Sequence, residues 1–132
     1  MSKHKPPINM AAKMRGLGAF RRGMMAERLA KWRLRLSGYN ILCQNFKTPE
    51  GEIDLIATRY GTLCFIEVKM RRDFTDALYA ISSGQKKRIE RAAEHFLKKH
   101  PHLQSMDIRF DAFISSGGFR GKLLTDAWRP GW

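Results

Sequence analysis

Two strand-like runs carry acids where apolar residues are expected. One is Gly51-Glu52-Ile53-Asp54-Leu55-Ile56-Ala57, the other Phe65-Ile66-Glu67-Val68-Lys69. A carboxylate inside a buried strand is costly unless it is paired or binds a metal. Alternation along a strand places Glu52, Asp54 and Ile56 on one face and Ile53, Leu55 and Ala57 on the other. It places Phe65, Glu67 and Lys69 together, with Ile66 and Val68 pointing away. Arg59-Tyr60-Gly61-Thr62 between the runs reads as a tight hairpin turn. A two-residue loop at Tyr60-Gly61 pairs Arg59 with Thr62 and, counting back, Asp54 with Glu67. Directly opposed Cβ atoms lie roughly 5 Å apart, close enough for two carboxylates to share one cation. A slip of one residue would send Asp54 to the wrong face. The chemistry such a pair suits is metal-assisted cleavage of phosphodiesters, with Lys69 beside Glu67 on the same face.

The whole chain fits that chemistry. It has 132 residues, 43% of them hydrophobic, enough for one compact domain. Lysines and arginines number 25 against 12 acids, a net charge of +13. That excess favours polyanions, nucleic acid ahead of an acidic membrane surface. The first 38 positions are basic, with Glu27 as their single acid, whereas Glu50, Glu52, Asp54 and Glu67 bracket the hairpin. Cys43 and Cys64 have no metal-type spacing and read as small buried thiols of a reducing compartment, consistent with a cytoplasmic protein. No apolar run approaches the roughly 20 residues that span a bilayer, so no membrane partner is expected.

The elements that must hold the site follow from periodicity and punctuation. Residues 1–18, with Pro6-Pro7 and several lysines, read as a flexible basic tail, and 19–132 as the domain. A helix is predicted from about Arg21 to Leu36, with Met25, Leu29, Trp32 and Leu36 as its packed face and Gly38 as its stop. Tyr39 to Phe46 is a strand, and Thr48 to Gly51 a turn before the hairpin. A short helix is expected around Asp76 to Ile81, and a longer one from Ser83 to Lys99 with Ile89, Ala92, Ala93, Phe96 and Leu97 inward. Asp107 to Ile114 alternates as a strand, and Leu123 to Trp128 forms a last short one. The fold class is α/β, a mixed sheet flanked by helices in the order α-β-β-β-α-β.

The Glu52–Asp54 run, Glu67-Val68-Lys69 and Arg109-Phe110-Asp111 together resemble the YraN-like family of predicted bacterial endonucleases. That family is similar to archaeal Holliday-junction resolvases and to the wider restriction-endonuclease-like PD-(D/E)XK group. The resemblance covers about residues 20 to 115 and includes Glu27, Ala30, Leu34, Gly38 to Leu42, and Asn45. It implies a restriction-endonuclease-like core. It also implies Asp54 and Glu67 as ligands of Mg²⁺, with Mn²⁺ able to substitute, and Lys69 as a catalytic group.

Glu27 lies beside Ala30 and Leu34 on a helical wheel, which turns it inward. An i,i+4 pair with Lys31 accounts for it equally well, and the resemblance adds a catalytic or metal-ligating carboxylate. Gln85 matches a position near the water or phosphate in similar enzymes, and it also completes a capping box with Ser82. Glu52 suits a turn or helper role, and Asp111 a structural one. Arg71, Arg72, Lys86, Lys87, Arg88 and Arg91 are candidates for phosphate contacts, which position nucleic acid without reading its sequence. The four histidines show no metal pattern.

The reading is a Mg²⁺-dependent endonuclease acting on DNA, RNA not being excluded, and selective for branched or junction structure rather than sequence. Two active sites, hence a homodimer, are expected by analogy. The alternative is a non-catalytic nucleic-acid-binding module with a nuclease fold, acting with a helicase or other DNA-processing partner.

Overall fold

The computed structural model describes residues 9–131 except residue 76. Helix α1 spans Met10–Leu36 and is followed by strands β1 (Asn40–Lys47), β2 (Glu52–Arg59) and β3 (Thr62–Met70). Helix α2 (Ser83–Lys99) then leads to β4 (Asp107–Gly117) and β5 (Arg120–Trp128). The strands form one sheet in the order β1-β2-β3-β4-β5. β3 and β4 are parallel, joined through α2, and the other neighbours are antiparallel. The fold is mixed α/β.

Each helix covers one face of the sheet. Ile89, Ala92, Ala93 and Phe96 of α2 meet Ile56, Phe65, Phe110 and Ile114. Ala30 and Leu34 of α1 meet Leu55, Ala57, Cys64, Ile66 and Phe113 on the other side. Ser82 and Gln85 form the expected capping box, which starts α2 at Ser83.

Helix α1 departs from its predicted form in two ways. It starts at Met10, where the Asn9 side chain accepts from the Ala12 amide, rather than near Arg21. The assigned tail therefore becomes helix from Met10, and residues 1–8 of it lie outside the described residues. The packed face is also different. Ala26, Ala30 and Leu34 are buried, whereas Met25, Trp32 and Leu36 are exposed. Small residues let a helix lie close on a sheet, and the bulky stripe is left outside. The short helix expected at Asp76 to Ile81 is a single 3₁₀ turn at Ala77–Tyr79, and Asp76 itself lies outside the described residues.

The hairpin has the predicted register. Arg59 pairs with Thr62, Ala57 with Cys64 and Leu55 with Ile66. Tyr60 and Gly61 both have positive φ, 48° and 79°, as a type I′ turn demands, and only glycine adopts that region freely. The β2–β3 pairing stops at Leu55 and Ile66, although both strands continue. Ile53 then joins the α2-side core rather than lying with Leu55 and Ala57 as strict alternation requires.

Candidate active site

The site lies where β2 and β3 part. Alternate pairs of an antiparallel ladder exchange backbone bonds, so the Val68 amide should bond to Ile53. It donates instead to Asp54 Oδ2 at 2.8 Å. A side chain thus takes over from a carbonyl at the end of the ladder, and the opening beside it is filled by carboxylates. Glu67, whose side chain is 13% exposed, sits against Asp54 and hydrogen-bonds with it. Burial, that hydrogen bond and the Asp54 charge push the Glu67 carboxyl well above the usual range, with Lys69 pulling the other way. Lys69 Nζ lies 3.9 Å from Glu67 Oε1.

Two clefts flank the pair. On the α2 side, a cleft of about 190 Å³ is lined by Glu52, Asp54, Glu67, Gln85, Arg88 and Ile89. Gln85 completes the capping box foreseen for it and also lines this cleft. Its side-chain oxygen accepts from the Ser82 amide, which leaves the amide N–H groups as donors on this wall. Gly51, the glycine ahead of Glu52, brings the β1–β2 turn against α2. A Cβ there would stand 2.6 Å from the Arg88 carbonyl oxygen. On the α1 side, a cleft of about 340 Å³ is lined by Glu27, Asp54, Glu67, Lys69, Met70 and Arg71, among others.

Glu27 faces that second cleft from α1. Burial first, then the Asp54 charge, raise its pKa, while a hydrogen bond from the Asn45 side chain and the Lys31 charge oppose the rise. Lys31 itself donates to Gln44 at 3.1 Å and acts on Glu27 through its charge. Among the described residues, no three or more His, Cys, Asp or Glu side chains converge on one point as metal ligands. The three acids expected to share a metal are therefore not a closed shell. Asp54 and Glu67 meet, and Glu27 lines the same cleft from α1. The donor set still fits Mg²⁺, a hard cation held by one or two carboxylates with waters and phosphate oxygens completing its shell.

The comparisons with known proteins give the lineage. The "Uncharacterised protein family UPF0102" matches residues 26–114. A UPF0102 protein of Parvibaculum lavamentivorans is 44% identical over 115 residues, covering 87% of this chain and 86% of that protein. One from Nitrobacter winogradskyi is 45% identical over 98 residues, covering 74% and 83% respectively. The chain belongs to the UPF0102 family. The matched segment of this UPF0102 protein runs from Ala26 on α1 to Ile114 on β4 and so contains Glu27, Asp54, Glu67, Lys69 and Gln85.

The basic residues divide by what they touch. Arg88 lines the α2-side cleft and Arg71 the α1-side cleft. The Arg71 guanidinium is also committed to the Met70 and Ala80 carbonyls, the latter at 2.9 Å, so it braces the chain after β3. Arg72 is exposed beside it. Lys86 points over the Trp128 ring, and Lys87 and Arg91 are exposed on α2 without lining either cleft. Asp111 is fully buried, bound by Arg109 and the Asp126 amide.

Sequence reasoning missed Asn45 as a site residue. It lies opposite Asp54 in the β1–β2 register, between the pairs Gln44–Leu55 and Phe46–Ile53. Its φ is +49°, a region asparagine tolerates better than other side chains. The available signal was its place among the residues that carry the family resemblance. Among the described residues, no helix is long and apolar enough to cross a membrane.

Proposed function

We propose that this UPF0102 protein is a Mg²⁺-dependent endonuclease on a restriction-endonuclease-like core, acting on the phosphodiesters of DNA. The observation that carries the reading is the contact between Asp54 and Glu67 at the opened end of the β2–β3 ladder. Two abutting carboxylates need either a shared proton or a cation, and this pair stands in a chain of net charge +13. A bound Mg²⁺ would supply Lewis acidity toward the phosphate and a water of lowered pKa. Asp54 and Glu67 would hold it. Lys69 would stabilise the charge that develops on the phosphate oxygens. The Gln85 amide and Arg88 supply donors on the α2 wall that orient the phosphate, and Glu27, set by Asn45, presents a carboxyl from the α1 wall. The basic residues of the clefts suit phosphate contacts, which position nucleic acid without reading its sequence, and this favours structure over sequence as the basis of selection.

The test is cleavage of labelled duplex, single-stranded, flap and four-way-junction DNA, with an RNA control, in Mg²⁺, Mn²⁺ or EDTA. Cutting that needs the metal and disappears in Asp54→Asn is the expected result. Tight binding without metal-dependent cutting on every substrate would overturn it in favour of a binding module that serves a DNA-processing partner.

A further inference from the structure

The α1-side cleft does not end at Arg71. It shares Ala26, Met70 and Arg71 with a pocket of about 390 Å³ whose wall also holds Arg22, Arg72 and Ser116. That pocket shares Met25 and Gly118 with a groove of about 390 Å³ between α1 and the β4–β5 turn. The three cavities form one furrow along α1 that leads away from the carboxylates. Its far end is framed by Trp32 and Phe119, whose residues are 64% and 89% exposed.

Resting on the nuclease reading above, we propose that this furrow holds an unpaired strand of nucleic acid, phosphates toward the arginines and bases stacked on Trp32 and Phe119. Three observations support it. No carboxylate lines the last two cavities, whereas arginines line both. Arg22 and Arg72 make no hydrogen bond or ion pair with the described residues, and the Ser116 hydroxyl is buried without a partner in the same wall. Arginines and a hydroxyl that lack protein partners suit phosphate oxygens. The rings, moreover, are fixed in place. Trp32 stands on a helix, and Arg33 donates to the Phe119 and Gly121 carbonyls, which pins the turn to α1.

An exposed ring on a rigid support offers a stacking platform, and every base has a face that fits it. In an intact duplex those faces are covered by neighbouring pairs, so the platform selects single strands, flaps or opened junctions. A second copy of this chain is a poor occupant, because the groove rim carries Arg28 and Arg33 and two copies would oppose like charges.

The experiment is fluorescence anisotropy in EDTA with the full chain and labelled oligonucleotides: a single strand, a blunt duplex and a duplex with an overhang. Trp32→Ala and Phe119→Ala should each weaken single-strand and overhang binding about tenfold. Blunt-duplex binding should stay within about twofold, and Trp32→Phe should restore most of the loss. Equal losses on duplex and single strand, or no loss on either, would overturn the proposal. So would sedimentation showing a wild-type dimer that these variants dissociate without loss of single-strand affinity. Binding in EDTA needs no catalysis. Silent ring variants in a protein that still cuts would remove this inference alone, whereas failure to cut any substrate leaves the ring measurement standing and removes the nuclease.

Discussion

Asp111 on β4 and Glu67 on β3 each place a carboxylate in the interior of the sheet, one strand apart. Asp111 is fully buried and fully served. Arg109 Nε donates to it at 2.9 Å and the Asp126 amide at 2.8 Å, while Arg109 also donates to the Tyr39 hydroxyl. The hydrogen bond with Asp111 raises the pKa of Arg109 further. Glu67 has the opposite company. Its hydrogen-bonded neighbour is Asp54, another acid, and Lys69 lies at the outer limit of an ion pair. A buried carboxylate that serves the scaffold brings its own cation and has its acceptors filled. One that serves chemistry is left needing a cation. The contrast supports placing the proposed chemistry at the Glu67 end of the sheet without reference to any relative.

The largest effect should come from Glu67→Gln. Cleavage should fall about 10³-fold, near 4 kcal/mol of transition-state stabilisation. Stability without metal should move the other way. The raised pKa of Glu67 means that the folded state holds a proton the unfolded chain has released. The stability that Glu67 contributes is therefore fully present below the ordinary carboxylate range and is lost as pH climbs toward the raised value. Glutamine removes that fall, and in the wild type Mg²⁺ should offset it. Urea unfolding at pH 5 and pH 8.5, in EDTA and in Mg²⁺, measures both. A variant less stable than wild type at pH 8.5 in EDTA would show that Glu67 is satisfied like Asp111, and the contrast would collapse.

Asp111→Asn is the mirror experiment. It leaves Arg109 without its carboxylate and should cost about 3 kcal/mol by urea unfolding. Cleavage per folded molecule should match wild type. A loss of activity larger than the loss of folded protein would put Asp111 in the site.

Much of this contrast can be read in the chain before any coordinates. Tyr60-Gly61 specifies a two-residue turn, and the turn specifies which acids come together. Ser82 and Gln85 mark the start of α2 by a local bond. Where packing chooses among chemically similar options, the sequence is less explicit. α1 offers a stripe of large residues and a stripe of small ones at the same period, and only the sheet's need for a close helix selects Ala26, Ala30 and Leu34. The partition of Arg71 into a brace, against Arg22 and Arg72 facing a pocket, depends on where the chain turns after β3. Asn45 was hidden because its role rests on a left-handed backbone in mid-strand, which period-2 reasoning does not anticipate.

Asn45 allows a smaller test in which backbone and side chain separate. Asn45→Gly keeps the positive φ available and removes the bond to Glu27. It should change stability by only a few tenths of a kcal/mol and lower cleavage about tenfold. Asn45→Ala removes the same bond and adds strain at φ +49°, costing about 1 kcal/mol more in stability with the same activity loss. The acidic limb of the pH–activity profile should shift upward in both, because the bond from Asn45 lowers the pKa of Glu27. If glycine retains full activity, Asn45 serves the bend alone and Glu27 owes nothing to it.

The two cysteines supply the smallest effect and the sharpest local readout of the scaffold side. Cys64 is fully buried beside Asp111, and its thiol is pushed up to about 12, by burial first and then by the Asp111 charge. Cys43 is half-buried on the edge strand β1. Thiolate, not thiol, is the reactive form, so iodoacetamide at pH 8 should label Cys43 and spare Cys64 until urea unfolds the chain. Asp111→Asn removes the second cause of the shift and leaves the first. Labelling of Cys64 in the folded variant should then rise only a few-fold, in step with local opening. Rapid labelling of native wild-type Cys64 would mean that the sheet opens beside Asp111 on its own. The fully served carboxylate would then not lie at the rigid end of the molecule, and the contrast with Glu67 would be one of charge alone.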